Sequence, residues 1–417
     1  MWHKFLLFKQ VFQRFLLIIT LFYWGNAPAQ NPTDTVVHIR IGATSTTIPE
    51  VFITLIERFQ RYTTHVKSPH DKYDNSIYSP KSAIFLSRDS GSNKLYINSL
   101  EGFSTSVYDL DSMKRIKIIK HKFRSQNAYL FSDTTVFGYK FQYRKKDYNI
   151  FSGKPVESCF SHNGKYLWIT YYRRDYDQNA ASPSAVAIID TESDEIIRVM
   201  PTGPLPKMIT ASPDNKYIAV THWGDNTIGL IDISSDSVAN FKYIKHLVVE
   251  KQLKLKYSKG EKVNRDHNCG YCLRGTVFTP DSSYLLVARM GGGGIAVFDL
   301  ESKSYIGTVF GMQDNIRHII IRNNELFIGT NSTGYVQKTN LEEFLKQKLE
   351  NRGNNDTITS WKSCYAGIGV RTIACTSDGK YVFAAVNNES KIVAIRSADM
   401  KIVATIKADS YTVCVSL

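Results

Sequence analysis

A single arrangement of short apolar runs recurs along most of this chain, and no other feature constrains its fold so strongly. One copy opens at Pro206-Lys207-Met208-Ile209-Thr210-Ala211, turns through Ser212-Pro213-Asp214-Asn215, continues as KYIAVTH and closes its third run on Asp232. Another opens at Leu273-Arg274 and turns at Thr279-Pro280-Asp281; another opens at Val370-Arg371 and turns at Thr376-Ser377-Asp378-Gly379. Further copies begin near Ser82 and at Pro155, and a more worn one opens at Ile316-Arg317-His318. Ser, Pro, Asp and Gly between apolar runs are the residues of tight turns. Runs this short in a chain with 12% aromatic residues read as strands.

Each copy therefore holds four short antiparallel strands, which is one propeller blade. A lone blade cannot bury both faces, so neighbours must stack around an axis. The succession of first strand, Thr-Ser-Asp-Gly turn, KYVFAAV, loop and KIVAIRSADMKIVATI resembles the YVTN-repeat family of β-propellers, exported and cell-surface proteins of bacteria and archaea. The resemblance runs from about Ser82 to Leu417, with the family's tetrapeptide present only as WITY, AVTH, FIGT and FAAV. It implies an all-β fold of seven four-stranded blades and no particular activity, because this architecture serves many roles. Six repeats are complete or nearly so, and Ser410 to Leu417 matches only the first strand of a seventh. The last blade is thus expected to be incomplete or closed by N-terminal strands, with Val36 to Ile41 as the alternating run that pairs with the C-terminal strand. Val51 to Thr64 reads as a further strand or a short helix. The expected organisation is a signal peptide over 1–29, an N-terminal segment closing the ring over 30–80 and the propeller over 81–417.

The leader rests on Lys4, Lys9 and Arg14, the apolar run Phe15 to Trp24, and Ala27-Pro28-Ala29 as a small-x-small cleavage site. The run is about half of the ~20 residues that span a bilayer, which favours export over an uncleaved anchor. The mature chain is expected in the periplasm or at the cell surface, as a monomer with no transmembrane span. A net charge of +14 draws it to anionic partners. The positive residues are dispersed, which argues against a dedicated nucleic-acid tail.

Three stretches interrupt the rhythm. Lys245 to Asn268 reads as an added hairpin. Asn340 to Lys362 carries a helix, with Asn340 and Glu343 at N-cap and N3 spacing and Leu341, Phe344, Leu345 and Leu349 on one face. Lys122 to Gly153 lengthens the first unit.

Alignment of the copies places Lys207, Arg274, Arg317 and Arg371 at one equivalent position, at the mouth of each innermost strand. Four cations converging on one channel repel unless solvated or neutralised. Two readings follow: a site for a carboxylate, phosphate or acidic sugar, or a wet mouth with ordinary counter-ions. His318 follows Arg317 and by simple alternation points away from the channel. Loops on the same face add Tyr172, His222, Trp223 and Arg289 as ligand-binding candidates, suited to stacking and planar hydrogen bonding. The other reading for these loops is packing between blades.

His267-x-Cys269-x-x-Cys272 is the sharpest short motif. It reads as a structural disulfide, between Cys269 and Cys272 or from one of them to Cys364; a redox pair or a zinc site with His267 and Cys364 are the alternatives. Cys159, Cys375 and Cys414 lie in apolar first strands, as buried thiols do. No Ser/His/Asp order, HExxH or paired carboxylates recur, so no catalytic residue, metal or cofactor is assigned. The expected role is a binding scaffold for an anionic small molecule, glycan or protein partner. The alternative is a periplasmic propeller enzyme, either a hydrolase or a metal- or cofactor-dependent oxidoreductase.

Overall fold

The computed structural model describes residues 41–47, 50–55, 77, 79–87, 93–131, 133, 136–140, 148–255, 263–408 and 412–417. They belong to one compact unit; the other, Met1–Val36 with Tyr62–Pro69, lies outside them, and with it the signal peptide and most of the expected N-terminal strand.

The turn chemistry of the repeat explains its strands. Ser212 donates to the Asp214 carboxylate at 2.6 Å, and its own oxygen accepts from the Tyr217 N–H at 2.9 Å, which closes the hairpin. Thr279 with Asp281 and Thr376 with Asp378 repeat the device, each at 2.6 Å. The Asp that ends the third strand has an equally local task. Asp109, Asp190, Asp232 and Asp299 each accept from a backbone N–H two or three residues on, at 2.7–2.9 Å, and so start the turn to the fourth strand.

Among the described residues these hairpins build six sheets of four core strands each. In the third the order is Pro206–Ala211, Tyr217–His222, Thr227–Asp232, Lys242–Val248, every neighbour antiparallel. The inner strands of the others are Pro80–Leu86, Phe151–Ser161, Leu273–Phe278, Ile316–Arg322 and Val370–Cys375. The core lies between adjacent sheets. Trp168 and Ile188 of the second blade, for example, pack on Ile218, Val220 and Ile231 of the third.

The ring has six blades, not the seven expected. The last apolar run recruits no further strands. Its described part, residues 412–417, lies as a single segment between the inner strands of the sixth and first blades. The Val415 N–H donates to Thr372 Oγ1 at 2.8 Å, the Cys414 thiol to the Ala83 carbonyl at 3.7 Å, and Asn387 to the Thr412 carbonyl at 2.9 Å. The N-terminal segment does not complete a blade either. Thr46–Thr47 pairs with the outer strand Lys401–Lys407 of the sixth blade, and Val51 and Ile53 cover Val403 and Ala404. Glu50 fastens it through Arg396 at 2.7 Å and the Tyr381 hydroxyl at 2.9 Å.

Two of the three insertions hold regular structure. Residues Leu341–Glu350 form α1, whose N-cap Asn340 accepts from the Glu343 N–H at 3.0 Å while Leu341 and Phe344 are buried. After Phe123 comes a 3-10 turn, Ser125–Leu130. Of the stretch expected as an added hairpin, Lys245–Val248 belongs to Lys242–Val248, the outer strand of the third blade, residues 249–255 and 263–272 form no strand, and residues 256–262 lie outside the described residues. No helix among the described residues is long and apolar enough to cross a membrane.

Candidate anion site at the channel mouth

Every inner strand breaks register near its start. The breaks fall between Pro80 and Ser82, Pro155 and Glu157, Pro206 and Met208, Leu273 and Thr276, Ile316 and His318, and Val370 and Thr372. A bulge leaves a residue without a partner and re-aims its side chain. The residues skipped are Lys81, Val156, Lys207, Arg274 (with Gly275), Arg317 and Arg371, so five of six blades offer a cation at the same place. Lys81 was missed because the first repeat was read from Ser82, one residue late. The repeated Pro80-Lys81 and Pro206-Lys207 carried the signal. A bulge also turns the next residue inward. Ser82, Glu157, Met208, His318 and Thr372 line the channel beneath the collar, so His318 faces it rather than away from it.

Two collar cations have counter-ions. Arg274 donates to the Glu157 carboxylate at 2.5 Å and to the Lys207 carbonyl. Lys207 meets the Asp266 carboxylate at 3.4 Å, and Arg173 meets its other oxygen at 3.2 Å. Asp266 comes from the loop inserted after the third blade. The Tyr172 hydroxyl donates to its carboxylate, Trp223 Nε1 to its carbonyl at 3.3 Å, and the Lys207 ammonium sits 3.7 Å from the Trp223 ring centre. Tyr172 and Trp223 are therefore at the mouth, but engaged with this internal carboxylate.

The other three cations stand in consecutive blades across the ring closure: Arg317, Arg371 and Lys81. Among the described residues none forms an ion pair, and the Nε atoms of Arg317 and Arg371 are buried without a hydrogen-bond partner. Burial and then the neighbouring Arg371, Arg317 and Arg274 lower Lys81 to about 8. Burial lowers Lys207 to about 7 against the pull of Asp266. Burial and Arg274 lower Arg371 to about 10, and burial with Arg371 holds Arg317 well below its usual value. The same causes, burial first, bring His318 to about 4. Glu157 pulls all three the other way from a distance, but it is one carboxylate among four cations, so among the described residues positive charge is in excess here.

Other expected site residues lie elsewhere. His222 is wholly buried behind the mouth; its ring nitrogens meet the Gly203 N–H at 3.1 Å and Thr227 at 2.8 Å, and burial keeps it neutral. Arg289 is locked at the top of the fourth blade by Glu250 at 2.8 Å and Thr308 at 2.9 Å, with its guanidinium 3.8 Å from the Tyr271 ring centre. Cys269 and Cys272 are disulfide-bonded to each other; Cys364 is a free buried thiol packed against Val336 and Val370 of the fifth and sixth blades, and does not join them. Among the described residues no three His, Cys, Asp or Glu gather as metal ligands.

A second polar cluster was not anticipated. Asp225 is wholly buried and accepts from Tyr139 at 2.5 Å, Thr227 at 2.6 Å and Gln252 at 3.3 Å. Tyr139 and Gln252 belong to different insertions, so one carboxylate ties both to the third blade.

No family model and no curated protein matches the chain. Solved structures do. Hydrazine synthase of Kuenenia stuttgartiensis matches with a TM-score of 0.56 at 17% identity, over 90% of this chain and 99% of that one. A functionally unknown protein from Desulfotomaculum acetoxidans matches with a TM-score of 0.54 at 13% identity, over 90% and 98%. The chain is a β-propeller. The dihydro-heme d1 dehydrogenase NirN also matches, with a TM-score of 0.50 at 13% identity, over 90% of this chain and 64% of that one. At such identities the likeness shows the fold alone.

Proposed function

We propose that this propeller is an exported binding scaffold of the YVTN-repeat type whose ligand is an anion held at the channel mouth. The observation that carries the reading is the set Arg317, Arg371 and Lys81, three adjacent cations that form no ion pair among the described residues and share only the distant pull of Glu157, which Arg274 already holds. Burying like charges side by side raises the free energy of the empty site, and an anion that pairs with them recovers it. A small carboxylate, phosphate or acidic sugar fits better than stacking on a neutral glycan, because Tyr172 and Trp223 are already committed to Asp266 and Lys207. Export to the periplasm or cell surface is supported by the leader over 1–29 and is compatible with the Cys269–Cys272 disulfide.

The test is calorimetric titration of the mature chain with inorganic phosphate and with citrate. Arg317→Gln with Arg371→Gln is expected to weaken binding by about a hundredfold or more, below detection for a small anion, since two charge-assisted hydrogen bonds of roughly 1.5–3 kcal/mol each are lost. An unchanged affinity in a variant that melts normally removes the basis of the proposal.

A further inference from the structure

Just below the collar, starting at the residues next along the inner strands and walled in part by Cys414–Leu417, lies a cavity of about 370 Å³, inside the roughly 300–1,000 Å³ range of small-ligand sites. Its wall changes character with depth. The first ring of residues below the cations is polar or small at most positions, with Ser82, Glu157, His318 and Thr372. Two residues further along the same strands, on the same face by strand alternation, the wall is Ile84, Val277, Ile320 and Ala374. Ile84, Val277 and Ile320 are only half-buried, so apolar surface stands open inside the channel. The belt lies three residues on from the cations, as Arg317 to Ile320, about 10 Å along the strand, which is one small molecule's length.

We propose that the ligand of the collar is an anionic amphiphile, with a carboxylate or phosphomonoester head on Arg317, Arg371 and Lys81 and an apolar body lying down the channel against Val277 and Ile320. This rests on the anion reading and adds the ligand's other end. A bare inorganic anion leaves the belt wetted, whereas an aliphatic or aromatic body covers it. Covering apolar surface contributes about 0.8 kcal/mol per buried CH₂, close to a fourfold gain in affinity for each. Arg322 at the far end of the same cavity is exposed, so a long body emerges towards water and its length is not limited by a closed floor.

The experiment pairs heads with and without bodies on the full mature chain: acetate against octanoate, and inorganic phosphate against octyl phosphate, all below their micelle concentrations. Octanoate is expected to bind at least tenfold more tightly than acetate, and octyl phosphate likewise against phosphate; the better of the two pairs identifies the head. Val277→Thr is isosteric and Ile320→Thr is one heavy atom shorter; both keep the β-branch and strand preference while making the belt polar. The pair is expected to erase most of the chain-length gain and leave acetate and phosphate binding as they were. Arg317→Gln with Arg371→Gln is expected to abolish binding of all four. Equal affinity with and without the body overturns the amphiphile and leaves the anion site standing. Absence of any binding overturns both. A chain-length gain that survives the threonine pair places the apolar contact elsewhere and overturns the inference.

Discussion

Asp225→Asn tests whether one buried carboxylate fastens the insertions that frame the mouth. Asp225 has no solvent access, and burial raises it from 3.8 to about 6 despite the hydrogen bonds from Thr227, Tyr139 and Gln252. The groups facing it are Tyr139, Thr227 and Gln252, with Arg265 more distant; His246 is bonded to Tyr139, and burial lowers it to about 4, so it adds no positive charge near neutrality. Between pH 3.8 and about 6 the folded chain holds a proton on this group that the unfolded chain has lost. Stability from Asp225 therefore falls as pH rises through that window. A rise from 3.8 to about 6 corresponds to about 3 kcal/mol. Asparagine keeps the shape and one acceptor oxygen but cannot ionise. The stability of Asp225→Asn relative to the natural chain should thus improve by up to about 3 kcal/mol between pH 4 and pH 6.5, whatever the offset at either end. Urea unfolding of both proteins at half-unit pH steps gives the difference directly, since all other titrating groups are shared. Two parallel profiles would refute the reasoning, because they would mean that Asp225 ionises in the folded state as easily as in the unfolded one.

Asp266→Asn removes the carboxylate that occupies Lys207 and Arg173. Phosphate affinity should rise several-fold through the freed cations, as read by titration, and a fall would assign Asp266 to the ligand's own contacts. Lys81 stands at about 8, so an anion beside it raises its proton affinity and binding near pH 8.5 must take up protons. Affinity should then decline as pH climbs through 8 to 9, and calorimetry in buffers of different ionisation heat should show the uptake; proton release, or none, would exclude Lys81 from the site.

What the amino-acid order determined by itself is the blade, because the interactions that build it are local. The Ser212–Asp214 and Thr279–Asp281 turns and the Asp109, Asp190, Asp232 and Asp299 caps all close within five residues. The same periodicity aligns Lys207, Arg274, Arg317 and Arg371, which is why most of the collar is legible in the amino-acid order. Tertiary structure decided the rest. Whether 412–417 begins a seventh blade depends on strands that nothing local supplies, and the chain instead uses that run in the gap between Thr372 and Ala83. The direction of His318 depends on a bulge, a property of strand pairing that alternation along one strand does not contain. Which cations remain unneutralised depends on Glu157 and Asp266, which lie 117 residues from Arg274 and 59 from Lys207. Hydrogen bonds one turn long can be read in order along a chain. Charge balance and burial are sums over neighbours that only folding brings together.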